Sequence, residues 1–124
     1  MEHTDVVGWV RRYESAWRSP GTDRLADIFT DDVSYLASPW ADPLRGLAAV
    51  AEFWDVEREG PDEEFTMSSE VVAVDGRTAV VRAEVDYVAT SERWRDLWVL
   101  GFADDGRCSH FEEWPFAPEQ DEGH

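Results

Sequence analysis

Lysine is absent from this chain of 124 residues, and only 11 arginines stand against 28 aspartates and glutamates, a formal net charge of −17. Such a field repels polyanions and anionic head groups, and no basic cluster exceeds Arg11-Arg12. No nucleic-acid partner and no membrane partner are therefore expected. Solubility alone accounts for the acidity. The single cysteine, Cys108, cannot form an intrachain disulfide, so an oxidising compartment is not required and a bacterial cytoplasm fits. No apolar run nears the ~20 residues that span a bilayer. The opening Met1-Glu2-His3-Thr4-Asp5 also lacks a basic segment followed by an apolar one, and a soluble, unexported, cytoplasmic protein is the expectation.

Several chemical signatures are missing too. There is no Gly-rich phosphate loop, no Gly-x-Ser-x-Gly elbow and no His-Glu-x-x-His. His110 is the one histidine away from the termini. With Glu112 and Glu113 it supplies metal-ligand types, but adjacent carboxylates point to opposite faces of a strand, so neither metal nor cofactor is expected. Cys108 has no neighbouring base and reads as a buried thiol.

What the chain does have is apolar and aromatic mass, 43% and 13% of its residues, spread evenly enough to support a single core. Val6, Trp9, Val10, Tyr13 and Trp17 recur at three-and-four spacing and predict a first helix. Ser19-Pro20-Gly21 ends it. Thr22 can cap a second, short helix carrying Leu25, Ile28 and Phe29. Val33 to Ala37 reads as a strand, and Ser38 to Gly46 as an irregular stretch in which Pro39 and Pro43 oppose regular structure and Trp40 is displayed. Leu47 to Glu59 is a third amphipathic helix with Leu47, Val50, Phe53, Trp54 and Glu57 inward, stopped by Gly60-Pro61. Four strands follow, Phe65 to Val74, Thr78 to Ala89, Trp94 to Ala103 and Arg107 to Phe116, joined by short turns and suggesting a meander. Alternation is clearest at Ala79, Val81, Ala83, Val85 and Tyr87. The domain thus spans residues 1–118, and residues 119–124 read as an acidic, frayed tail.

Helices first and antiparallel strands after them make an α+β pattern, with three N-terminal helices covering one face of a curved, mostly antiparallel sheet. Arg12 to Trp17, Leu25 to Val33, Leu44 to Val50 and Asp105-Gly106-Arg107, in this order and spacing, resemble the nuclear transport factor 2-like superfamily and its SnoaL-like, ketosteroid-isomerase-like branch. The resemblance covers roughly Val6 to Phe116. It implies a cone-shaped, cystatin-like α+β barrel, a homodimer through the outer sheet face, and a pocket at the open end of the cone. Members include isomerases, cyclases, dehydratases and non-catalytic modules, so function must be argued from the site.

Ketosteroid isomerases use a carboxylate base near the first strand, with a tyrosine and a protonated aspartate that stabilise an enolate oxygen. Tyr13 matches that tyrosine. Ala37 or Ser38 stands where the base would be, with Asp42 nearby on the loop. Trp98 stands at or beside the place of the second donor, with Asp96 two residues before it. Steroid isomerisation is therefore disfavoured.

The candidate catalytic residues are Tyr13, Asp96 and Glu113. Tyr13 is either an oxyanion donor or a core tyrosine with a satisfied hydroxyl. Asp96 shares a strand face with Trp94 and Trp98, and is either a desolvated acid or base or a rim residue paired with Arg93 or Arg95. Glu113, within Phe111-Glu112-Glu113-Trp114, is either a second reactive carboxyl or a structural hydrogen-bond acceptor. Parity places His110 on the opposite face. Of seven tryptophans, Trp17, Trp54 and Trp98 are expected to line the cone, with Phe111 beside them and Trp40 across the mouth. The expected ligand is a small apolar molecule. Three functions follow: an enzyme of proton-transfer chemistry of the isomerase, cyclase or dehydratase type, a non-catalytic binding module, and a dimeric protein-interaction module with a filled cone.

Overall fold

The computed structural model describes residues 1–58 and 64–120. Its first helix, α1, runs His3–Arg18 and is fixed at its start by a capping box in which the Glu2 amide donates to Asp5 Oδ2 at 2.8 Å. Val6, Trp9, Val10, Tyr13 and Ala16 form its buried stripe. A one-turn helix, α2 (Leu25–Ile28), leads directly into strand β1 (Phe29–Leu36). Then come β2 (Leu44–Arg45), α3 (Leu47–Glu57), β3 (Phe65–Asp75), β4 (Thr78–Tyr87), β5 (Arg93–Phe102) and β6 (Cys108–Phe116).

All six strands join one sheet in the order β2-β1-β6-β5-β4-β3. The expected meander is present as β3 to β6, paired antiparallel throughout, while β1 pairs parallel to β6. Register shifts in three of these ladders, between Phe29 and Ser34, Val71 and Ala73, and Gly101 and Phe102, bend the strands and curve the sheet around its helical side. Among the described residues, no helix is long and apolar enough to cross a membrane.

Four expectations need correction. Three N-terminal helices do not cover the sheet: α2 is a single turn, and α3 comes only after β1 and β2. The sheet begins at Phe29 rather than Val33, because Phe29 pairs with Cys108 and the register shift then carries Asp31-Asp32 out to solvent. The stretch from Ser38 to Gly46 contains β2, whose Leu44 and Arg45 pair with Tyr35 and Ser34; Pro43 is tolerated since β2 is an edge strand. Gly46, at φ +88°, then donates its amide to the Val33 carbonyl at 2.9 Å and opens α3. Finally, Pro118–Gln120 form a 3-10 turn where the tail was expected to have begun. Gly60-Pro61 and residues 121–124 lie outside the described residues.

The core lies between α1, α3 and the inner sheet face. Trp9 is fully buried and donates its indole N–H to the Ile28 carbonyl at 2.9 Å, which satisfies the one polar atom this large side chain brings inside. Arg58, just past α3, ties that helix to the α1–α2 connection by donating to the Ser19 and Gly21 carbonyls at 2.8 and 2.7 Å.

Candidate active site

A cavity of about 530 Å3 opens between the sheet and the helices. Tyr13 and Trp17 reach it from α1, Tyr35 and Ala37 from β1 and its end, and Phe53 and Glu57 from α3. The sheet contributes Phe65 and Met67 of β3, Val85 and Tyr87 of β4, Trp94, Asp96 and Trp98 of β5, and Glu113 and Pro115 of β6. Glu64, Ala89, Thr90 and Glu92, all exposed, complete the lining at one end of the sheet.

Strand alternation explains the floor. Trp94, Asp96 and Trp98 share one face of β5, and Glu113 of β6 pairs in register with Trp98. The Trp98 indole N–H donates to Glu113 Oε2 at 3.1 Å. Asp96 is buried, and its Oδ1 has no hydrogen-bond partner among the described residues. The Asp96 and Glu113 carboxyls are neighbours on the cavity floor, and each bears on the ionisation of the other.

Removal from bulk water, followed by the charge of Asp96, pushes the Glu113 carboxyl well above the ordinary glutamate range. Asp96 is pushed up to about 6 by burial, against the hydrogen bonds from Glu113 and Trp98 that favour its ionised form. Burial thus makes both carboxyls hold their protons more tightly than free side chains do. Arg93 and Arg95, the nearest cations in sequence, bind Asp86 and Glu84 on the outer face at 3.4 and 3.3 Å. Asp96 is thus a desolvated carboxylate and not half of a rim ion pair.

A second polar group comes from the tyrosines. The Trp54 indole N–H donates to the Tyr35 hydroxyl at 3.2 Å, and because an indole only donates, the Tyr35 hydroxyl keeps its own proton to give. Tyr13 lies beside it on the cavity wall. Burial raises both phenols well above their ordinary range, so both remain neutral donors. Phe111 supports the pair from beneath, stacked on Tyr13 and Tyr35 with ring centroids 5.6 and 4.7 Å away.

Tyr13, Asp96, Glu113, Trp17 and Trp98 therefore come together at the cavity, whereas three other expected residues do not line it. Trp40 is 98% exposed, carried outward by the turn in which the Ala41 amide bonds the Ser38 carbonyl. Trp54 and Phe111 are fully buried one layer behind, where they hold Tyr35 and Tyr13 in place. Asp42 is exposed and does not line the cavity, whereas Ala37 does. Sequence reasoning missed Tyr35, Glu64 and Glu92. For Tyr35 a signal existed, since it has the parity of Val33 on β1. His110 faces away from the cavity and meets Glu112 at 3.2 Å. The Cys108 thiol is buried, donates to the His110 carbonyl, and is pushed up to about 12. Among the described residues no group of three histidine, cysteine or acidic side chains is placed to hold a metal.

Residues 10–111 match the SnoaL-like domain family. The chain belongs to that family. Its solved neighbours include a protein of Sinorhizobium meliloti assigned as a polyketide cyclase, at 22% identity and TM-score 0.69, covering 91% of this chain and 99% of that one. The epoxide hydrolase/cyclase-like enzyme SalBIII of pyran ring formation in salinomycin follows at 16% identity and TM-score 0.68, covering 91% and 88%. A calmodulin-dependent kinase (CaMKII) hub from S. rosetta shares 20% identity at TM-score 0.66, covering 91% and 95%. No curated protein matches the sequence. The SnoaL-like domain is thereby placed in the nuclear transport factor 2-like superfamily by fold, and likeness at these identities carries the fold alone.

Proposed function

We propose that this SnoaL-like domain binds a small, largely apolar molecule in its cavity and transfers protons on it, in a reaction of the isomerase, cyclase or dehydratase type. The observation that carries this reading is the Asp96–Glu113 pair, two carboxyls side by side on the floor of an aromatic-walled cavity with burial opposing the ionisation of each. Two desolvated carboxyls set side by side can share the roles of base and acid. Asp96 takes a proton from a carbon or hydroxyl of the substrate, and Glu113 gives its proton to a second substrate atom. The pair then holds the same number of protons as before and resets when the proton passes from Asp96 to Glu113. Tyr13 donates to oxygen that gains negative charge in between. The two neighbours described as cyclases are in keeping with this reaction class.

The test uses solvent exchange. The protein is incubated in D2O with apolar ketones, hydroxyketones and epoxides, and deuterium entry is followed by mass spectrometry. Wash-in that is abolished by Asp96→Asn and by Glu113→Gln, with the fold intact by near-ultraviolet circular dichroism, is the expected result. Wash-in unchanged in both variants would remove the pair from the chemistry. Compounds that bind without any exchange would establish a binding module instead.

A further inference from the structure

The cavity has an unbalanced charge. Its acidic members are Glu57, Glu64, Glu92, Asp96 and Glu113, and among the described residues no arginine or histidine lines it. Glu57 lies close enough to oppose ionisation of both Tyr35 and Glu113. Backbone bonds hold Glu64 and Glu92 on either side of the end of β4, the Val88 amide donating to the Glu64 carbonyl at 3.0 Å and the Tyr87 amide to the Glu92 carbonyl at 2.9 Å.

The nearest cations are already engaged. Arg18 pairs with Glu14 at 2.8 Å and lies against the Phe65 ring, 3.8 Å from its centroid. Arg58 is turned to the Ser19 and Gly21 carbonyls and to Asp55 behind the Trp17–Trp54 wall. Arg93 and Arg95 sit on the outer sheet face. Nothing from α1, α3, β4, β5 or β6 supplies a counter-charge to the carboxylate on the floor.

Asp96 makes this imbalance specific. It is 8% exposed, it lines the cavity, and its Oδ1 is buried without a partner. A buried acceptor left open in this way costs stability unless a bound donor meets it. Trp94 and Trp98 flank Asp96 on the same strand face and offer indole rings, the aromatic surface best suited to a cation. We infer that the natural ligand carries a cationic nitrogen, a protonated amine on an apolar body, which donates to Asp96 Oδ1 between Trp94 and Trp98. The body fills the space among Phe53, Phe65, Met67 and Val85. The rim glutamates concentrate cations at the mouth and exclude carboxylates and phosphates. This inference rests on the binding half of the proposed function and requires no catalytic step.

Three probes of one shape decide it: tryptamine (cation), tryptophol (neutral) and indole-3-acetate (anion), each titrated calorimetrically into the wild-type protein at neutral pH. A charge-assisted contact in place of a neutral one gives tryptamine at least about tenfold tighter binding than tryptophol. Indole-3-acetate should be weakest. Asp96→Asn should erase the preference for tryptamine over tryptophol, and Asp105→Asn, distant from the cavity, should leave all three affinities unchanged. Tryptophol or indole-3-acetate binding as tightly as tryptamine would overturn the cation preference and leave the proposed function standing. Binding of none of the three would overturn both.

Discussion

Asp96→Asn should make the protein more stable, and increasingly so as the pH rises. In the folded chain the carboxyl ionises near pH 6 in place of its ordinary 3.8. At about 1.4 kcal/mol per decade this difference corresponds to about 3 kcal/mol. The native value is raised, so the folded state binds the proton more tightly than the unfolded chain does. The associated stability is complete below about pH 4 and is lost as the pH climbs through 6. Asparagine, neutral at every pH, carries no such loss. It also removes the charge that opposes ionisation of Glu113, which acts in the same direction. Thermal or urea unfolding of both proteins between pH 4 and 8 should therefore show wild type losing about 3 kcal/mol relative to the variant, or roughly 10 °C in Tm for a chain of this size. General repulsion in a chain of net charge −17 affects both proteins alike and cancels in the difference. Parallel curves would refute the reasoning, and a wild type that gains on the variant with rising pH would mean that Asp96 is paired with a cation after all.

Other perturbations probe the support around the site. Tyr35→Phe strips the buried Trp54 indole of its acceptor and should cost about 1–3 kcal/mol in urea unfolding; an unchanged midpoint would show that the bond contributes nothing. Arg58→Ala removes the two short bonds to the Ser19 and Gly21 carbonyls and should cost about 2 kcal/mol, with lysine recovering only part because a single ammonium cannot reproduce the guanidinium fork. Trp40→Ala, at the most exposed tryptophan, should alter stability by less than about 0.5 kcal/mol and leave tryptamine binding unchanged; weakened binding would bring Trp40 back to the mouth. The homodimer is proposed to form on the outer sheet face, where Leu97 and Trp114 stand opposite each other beside Phe116. Leu97→Asp should then halve the mass measured by light scattering, and a monomeric wild type would refute the assembly.

Local periodicity made much of this fold legible. Val6, Trp9, Val10 and Tyr13 declare the buried stripe of α1, and Ala79, Val81, Ala83 and Val85 declare the inner face of β4, because helix and strand periods are properties of the segment itself. The failures fall where a partner decides. Nothing within Leu44-Arg45 marks a strand; two residues become one only because Tyr35 and Ser34 are there to pair with them. Asp31-Asp32 look like the end of a helical pattern, and a register shift that no local signal announces lets β1 run through them. Tryptophan burial was misjudged for a related reason: Trp54 and Phe111 have the parity of cavity residues, yet Tyr35 and Tyr13 stand in front of them.

The carboxyl pair combines both kinds of information. Alternation groups Asp96 with Trp98 on β5 and Glu113 with Phe111 on β6, and the fold turns both faces inward. Whether Asp96 is then neutralised depends on Arg93 and Arg95, which lie one and three residues away, and the same alternation gives the answer. Odd separations on a pleated strand point to the opposite face, and there both arginines meet acidic residues of β4. Proximity in sequence thus suggests an ion pair that the strand geometry forbids. No nearby cation could cross the sheet without breaking the β4–β5 ladder, so the charge on Asp96 has two outlets in the folded chain. One is uptake of a proton, which burial favours, and the other is whatever enters the cavity. The second outlet explains why a buried acceptor can remain open in the free protein, and it makes the ligand's charge, more than its shape, the property that the tryptamine and tryptophol comparison should reveal.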